Sequence, residues 1–247
     1  MSTAASKTVV ASQPFYFPWV GFLEQVRLAD VFITVSDFQF VRNGFIHRVQ
    51  IKIPGDTHWL TIPLHDSRKR KPIDALRIDD STPWRKTQLT SLELYYHRAP
   101  FRDEMLQLAS AVINLPTDSA AALVEASMQT VFHYFELDRH CQFVHNRDLQ
   151  VTGEKSDRVL GLVQAVQGTH YITGHGAANY LDHELMERNG ITVEYLDYQR
   201  KPYPQLHGPF TPYVSSLDLI ANLGQEGKAM ICSGTKPWRQ FLQERNG

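Results

Sequence analysis

The chain has 247 residues, enough for one full α/β domain with a large core or for two small domains. Hydrophobic residues make up 43% of it and charged residues 21%, a balance that excludes a disordered polymer. A formal net charge of −1 argues against a non-specific nucleic-acid binder, which needs a broad basic face to neutralise phosphates.

Two cysteines, Cys141 and Cys232, lie far apart and outside any CxxC spacing, so a reduced and buried pair is expected rather than a disulfide or thiolate zinc site. No apolar run of membrane-spanning length and no signal-peptide pattern is visible, and a cytoplasmic location without membrane contact is the expectation.

Thr8 to Ser12 is a β-prone run closed by Gln13-Pro14. Gly21 to Ala29 reads as a short helix and Val31 to Val35 as a second buried strand. Strand, helix and strand so close together imply a βαβ unit in a parallel sheet. Arg48 to Ile53 then alternates, with Val49, Ile51 and Ile53 on one face and Arg48, Gln50 and Lys52 on the other. With the turn Pro54-Gly55-Asp56 and the run Trp59 to Ile62, it predicts a hairpin. Ser67 to Pro72 is a basic loop, and Leu76 to Ile78 reads as a further strand.

A helical middle follows. Thr82 as cap and Pro83 at the first helical position open a helix to about His97. Phe101 to Ala111 resumes helix, and Asp118 or Ser119 caps a third, with Leu123, Ala126, Val131 and Phe135 on its apolar face. The last third returns to α/β. Ser156 is expected to cap a helix carrying Val159, Leu162, Val163 and Val166 as one stripe, ended by Gly168. Thr169 to Ile172 is a strand, His183 to Asn189 a helix closed by Gly190, and Ile191 to Leu196 a strand. The fold class expected is α/β, a mainly parallel Rossmann-type sheet with flanking helices, a hairpin excursion and a helical insert over about 82–137. One domain over 1–247 is expected, with a flexible tail at 1–7.

Four segments could carry chemistry. Gln13 to Phe22 lies at the carboxyl end of the first strand and leads into a helix, where open α/β sheets place ligands. There Gln13, Tyr16 and Trp19 could touch a substrate and Gly21 could let an anion approach the backbone. A proline- and aromatic-rich turn packed as core is the structural alternative. Asp37 to Arg48 follows the second strand. Asp37 could bind a hydroxyl, an amine or a metal-bound water, Gln39 could read a polar edge, and Arg42 and Arg48 could fork a phosphate or carboxylate. Lys52 is either a further contact or part of a solvated strand face. Lys155 and Arg158 would form a phosphate pair beside a helix start. Finally, Gly174 and Gly176 bracket His175 after a strand, with Asn179 and Tyr180 close behind. This makes His175 the best general-base candidate. His170 and His175 lack zinc-helix spacing, and no metal site is expected.

Taken in order, these segments resemble the WbqC-like protein family. The resemblance rests on Gln13-Pro14, Phe17-Pro18-Trp19, Gly21, Ala29-Asp30, Asp37 to Phe40, Arg48, Ile51 and Lys52. It continues through Trp59 to Pro63, Tyr171 to Gly174, Tyr180 to Asp182, Gly190-Ile191 and Ser215 to Leu219. It departs beside Arg48, where the family carries asparagines and this chain has His47 and Val49. The resemblance implies acyl or aminoacyl transfer, of glycine type, onto an amino sugar or similar polar metabolite in surface-polysaccharide or specialised-metabolite synthesis.

A weaker similarity is to nucleotidyltransferases with the HxGH signature, where Trp19 and Phe22 stand in place of the two histidines. For acyl or aminoacyl transfer, Asp37 and His175 are expected to be catalytic, Asp37 orienting the acceptor and His175 taking a proton from the attacking amine, and a small molecule is the expected substrate. ATP, an acyl thioester or an aminoacyl-tRNA could be the donor, and direct nucleic-acid binding is not expected. The competing expectation is a nucleotide- or metabolite-binding protein without catalysis.

Overall fold

The computed structural model describes residues 6–65 and 70–246. The expected tail therefore lies outside the described residues up to position 5, and the basic loop lies outside them up to position 69.

Strand β1 (Thr8–Ser12) is the centre of the sheet, with Val9 and Val10 fully buried. Pro14 has no N–H to offer a ladder, and pairing stops before it. Helix α1 (Val20–Leu28) buries Phe22, Leu23 and Val26 and hands the chain to β2 (Val31–Thr34), which runs parallel to β1. The hairpin β3 (Arg48–Ile53) and β4 (Asp56–Thr61) forms a separate two-stranded sheet. Pro54 presets the turn, and Gly55 takes φ +76°, the value a type II turn needs there.

Leu76 to Ile78 does not form the expected strand. A 3-10 turn at Ile73–Ala75 precedes single bridges from Arg77 to Ser119 and from Ile78 to Leu64. Helices α2 (Trp84–Tyr96), α3 (Arg102–Ile113) and α4 (Ala120–Tyr134) follow. Pro83 occupies the cap position of α2, one place earlier than expected, while Ser119 caps α4 by accepting from the Ala122 amide.

Strand β5 (Gln142–His145) then returns the chain to the sheet beside β2. Helix α5 (Lys155–Ala165), β6 (His170–Thr173), α6 (His183–Arg188), β7 (Thr192–Asp197), α7 (Ser216–Leu223), β8 (Gly234–Pro237) and α8 (Trp238–Asn246) complete it. Gln167, not Gly168, turns left-handed after α5, at φ +58°. Gly168 is needed for space, since a Cβ there would lie 2.4 Å from the Val9 side chain.

The six-stranded sheet has the order β5-β2-β1-β6-β7-β8, parallel except for β8. One face carries α1 with the helices α2–α4 and α7, over a core that includes Phe22, Phe32 and Phe132. The other carries α5, α6 and α8, packed on Val9, Ile33 and Tyr171. Both faces of β1 are covered, which is why its apolar residues run on rather than alternate. Among the described residues no helix is long and apolar enough to cross a membrane. Cys141 is buried, which pushes its thiol up to about 12, whereas Cys232 is exposed, contrary to the expectation of two buried thiols.

Candidate functional site

The strand order reverses at β1. From β1 the chain builds outward through β2 to β5, then returns to lay β6 along the opposite edge of β1. The loops leaving β1 and β6 therefore part in opposite directions and open a crevice at the carboxyl ends of those strands, where folds of this kind bind ligands. A cavity of about 730 Å³ occupies that position.

The β1 side is a rigid turn. Phe17 is held left-handed at φ +37°, its amide donating to Ser127 Oγ at 2.9 Å and its carbonyl accepting from Ser215 Oγ at 2.9 Å. A non-glycine residue in that region persists only where its surroundings over-determine it, and here α4 and the start of α7 do so. The turn delivers Trp19 to the crevice. Its indole lies over Gly21, where a Cβ would come within 2.0 Å of a ring carbon, and meets Tyr198 and Tyr213 edgewise at 5.0 and 5.5 Å.

Phe15 and Phe22 complete an aromatic wall. On the opposite side, Ser156 sews α5 to the segment after β6. Its hydroxyl donates to the Tyr180 carbonyl at 3.0 Å and accepts from the Asp182 amide at 2.8 Å. Ser156 therefore does not cap α5; Glu154 stands at the cap without a side-chain bond.

The cations come from α5. Lys155 and Arg158 both line the crevice. The Arg158 guanidinium lies 5.2 Å from the Phe38 ring centroid and donates through Nη2 to Asp37 Oδ2, while its Nε is buried without a hydrogen-bond partner. Gln13, Gln25 and Gln39 line the same space, and none of their carboxamides has a hydrogen-bond partner among the described residues. Burial pushes the Tyr171 and Tyr180 hydroxyls above the ordinary tyrosine range, so both remain protonated and able to donate. Two cations, three open amides and an aromatic wall suit a ligand with an anionic group and an uncharged polar body.

Of the residues singled out in the sequence, Gln13, Trp19, Gln39, Lys155, Arg158, Gly174, Gly176 and Tyr180 meet in this crevice. Asp37 joins them at the rim through Arg158. The others do not. Tyr16 is fully buried and donates to Gln88 Oε1 at 2.8 Å, a core role. Gly21 is occupied by the Trp19 ring rather than open to an anion. Arg42 is exposed on the loop before β3. Arg48 donates to the Asn43 carbonyl at 2.9 Å and lies 4.2 Å over Trp59, bracing its own loop.

Lys52 is 3% exposed, not solvated. Its Nζ donates to the Gly208 carbonyl at 2.8 Å and to Gln205 Oε1 at 3.2 Å, because the loop between β7 and α7 covers that face of the hairpin. Asn179 accepts from Arg245 at 2.7 Å.

His175 is turned away from the crevice. The segment after β6 is a 3-10 turn, in which every third residue faces the same way. Gly174, Ala177 and Tyr180 therefore share the crevice side, Gly176 adds only backbone to it, and His175 projects elsewhere. Its Nε2 meets the Leu196 carbonyl at 2.9 Å and its ring packs 4.7 Å from Phe241, in a separate hollow shared with Asp197, Lys236, Glu244 and Arg245. Gln25 was not anticipated, although Trp19, Phe22 and Gln25 stand at successive steps of three, a helical stripe legible in the sequence. Among the described residues no group of three or more His, Cys, Asp or Glu side chains could hold a metal ion.

An open sheet of this order, with a lined crevice at its switch point, defines a Rossmann-type α/β protein. Residues 13–230 match the WbqC-like protein family, and the chain belongs to it. The chain is also similar to the uncharacterized protein Rv1507c of Mycobacterium tuberculosis (strain ATCC 25618 / H37Rv). The two are 27% identical over 222 residues, which cover 89% of this chain and 95% of that protein. No solved structure matches the chain.

Proposed function

We propose that the chain is a transferase that moves an acyl or aminoacyl group onto a polar, anionic small molecule held in the crevice between β1 and β6. The observation that carries this reading is the meeting of Lys155, Arg158 and three open carboxamides against Trp19 in one cavity at the switch point. Lys155 and Arg158 anchor a phosphate or carboxylate, by charge and by the guanidinium fork respectively. Gln13, Gln25 and Gln39 hold the uncharged part, a sugar or a similarly polar body, by donating and accepting. Since the His175 imidazole faces Phe241, this reading gives Asp37, the partner of Arg158, the part of accepting a proton from the attacking amine or hydroxyl.

The test is mass spectrometry of amino sugars and their nucleotide conjugates after incubation with the protein and an activated acyl donor. The expected product gains the mass of one acyl group, and Arg158→Gln abolishes its formation. Undiminished product from that variant refutes the assignment.

A second reading, a metabolite-binding protein without catalysis, is favoured by one observation: among the described residues no imidazole lines the crevice. Stabilisation of the fold by a nucleotide conjugate, with no turnover in the presence of any acyl donor, distinguishes it.

A further inference from the structure

We infer that the Nε–Nη2 edge of Arg158 is the anion-binding subsite of the crevice, and that Asp37 occupies it in the empty protein as a counter-ion which the substrate displaces. The inference rests on the reading of the crevice as an anion site and deepens it.

The two partners are unequally held. The Arg158 side chain is 15% exposed, with its guanidinium 5.2 Å from the Phe38 ring centroid, whereas the Asp37 side chain is 39% exposed at the rim. When the pair opens, the more buried guanidinium keeps its place and the more exposed carboxylate is the partner that swings aside at the rim. The pair is also incomplete. One oxygen of Asp37 receives Nη2, while the adjacent Nε, on the same edge of the planar fork, is buried with no acceptor. A phosphate or carboxylate presented from the crevice offers two oxygens at the spacing of that edge and satisfies both donors at once. Lys155 lines the same crevice with no side-chain partner among the described residues, so a second positive charge stands ready for an anion larger than one carboxylate.

Displacement also determines what Asp37 does next. It directly precedes Phe38 and Gln39, both of which line the crevice, so the released carboxylate stays beside the ligand. There it can accept from a hydroxyl or ammonium group. The ligand class defined in this way carries an anionic group and, within reach of it, a hydroxyl or amine. A ligand lacking the anion leaves Asp37 engaged with Arg158.

This account differs from a structural latch in one measurable way. If Asp37 only positions Arg158, removing its charge weakens anion binding; if it competes for Arg158, removing its charge strengthens it. Titration calorimetry of the full chain with inorganic pyrophosphate at low salt is expected to show Asp37→Asn binding about fivefold tighter than the unaltered protein, the factor expected of one partly exposed ion pair. Arg158→Gln is expected to lose the binding. Equal or weaker binding by a folded Asp37→Asn overturns the inference while leaving the anion site in place. Absence of pyrophosphate binding in both proteins overturns the anion site and the inference together. Should Asp37→Asn not fold, nitrogen-15 NMR of the unaltered protein decides: the Arg158 Nε–H resonance moves on pyrophosphate addition, and an unmoved resonance with bound pyrophosphate overturns the displacement.

Discussion

The Tyr96 hydroxyl donates to Asp218 Oδ2 at 2.8 Å, joining the end of α2 to the first turn of α7 in the interior. Tyr203 donates to the other oxygen at 2.9 Å, and the Lys52 backbone amide donates to the Tyr96 hydroxyl at 3.2 Å. Asp218 is fully buried, and burial pushes its carboxyl above the usual carboxylate range. A carboxyl in that position is tolerated only while its donors are present. Tyr96→Phe keeps the ring and removes one donor, and is expected to cost about 1–3 kcal/mol. The urea midpoint should fall with the denaturant slope unchanged. An unaltered midpoint would show that the bond contributes nothing net.

Gly21→Ala tests the seat of Trp19. The added methyl would overlap the indole, and the ring must leave its position against Tyr198 and Tyr213. A loss of about 1–3 kcal/mol is expected for overpacking of this kind. Tryptophan fluorescence should shift in the native state, and ligand affinity should drop as the aromatic wall moves. Native spectra and stability identical to those of the unaltered protein would contradict this account.

His47 sets a pH dependence. It is 7% exposed with Nδ1 unpartnered; burial, then Arg48 and Arg42, hold its imidazole down at about 4. Unfolded, it titrates near 6.5. Between those values the unfolded chain binds the extra proton. Stability from this group is therefore complete above about pH 6.5 and is lost as pH falls towards 4, by on the order of 3 kcal/mol in all. Other groups titrate in the same window, so the difference from His47→Gln is the quantity to measure. The variant should show a shallower decline in urea midpoint between pH 6.5 and 4, and parallel curves for the two proteins would rule this out.

His175→Ala is expected to leave binding and turnover within about twofold of the unaltered protein, the usual scale for a side chain away from the site. Kinetics over the neutral pH range decide it. A loss of several hundredfold would return the imidazole to the chemistry and require the turn after β6 to rearrange.

Much of the sheet was legible in the residues because local pattern and tertiary outcome agree. Thr8 to Ser12 and Val31 to Thr34 are β-branched and apolar runs separated by one short amphipathic helix, and they pair as that spacing implies. Strand β5 was not legible. Gln142 to His145 holds four residues without alternation, and only its parallel pairing with β2 makes it a strand. Strand β8 contains Gly234 and Pro237, residues that discourage strands but are tolerated on an edge.

Near the crevice, the glycines after β6 mark a segment that lines it, while the direction of the His175 side chain depends on three residues per turn rather than on proximity. The burial of Lys52 is not legible locally, because its cover comes from residues more than 150 positions later, which no local pattern reports.

Strands β2 and β5 are neighbours in the sheet, yet the chain makes the whole hairpin and three helices between them. During synthesis, β2 emerges with one edge paired to β1 and the other bare until Gln142 follows. Until then the growing chain presents an open strand edge to the cell, a template for unwanted pairing. Contacts so distant in sequence also close slowly, because a long loop must be ordered before they form. A chain released before β5 would therefore be expected to aggregate rather than persist as a smaller folded protein, and refolding of the full chain should be limited by the two long-range pairings, β2 with β5 and β1 with β6.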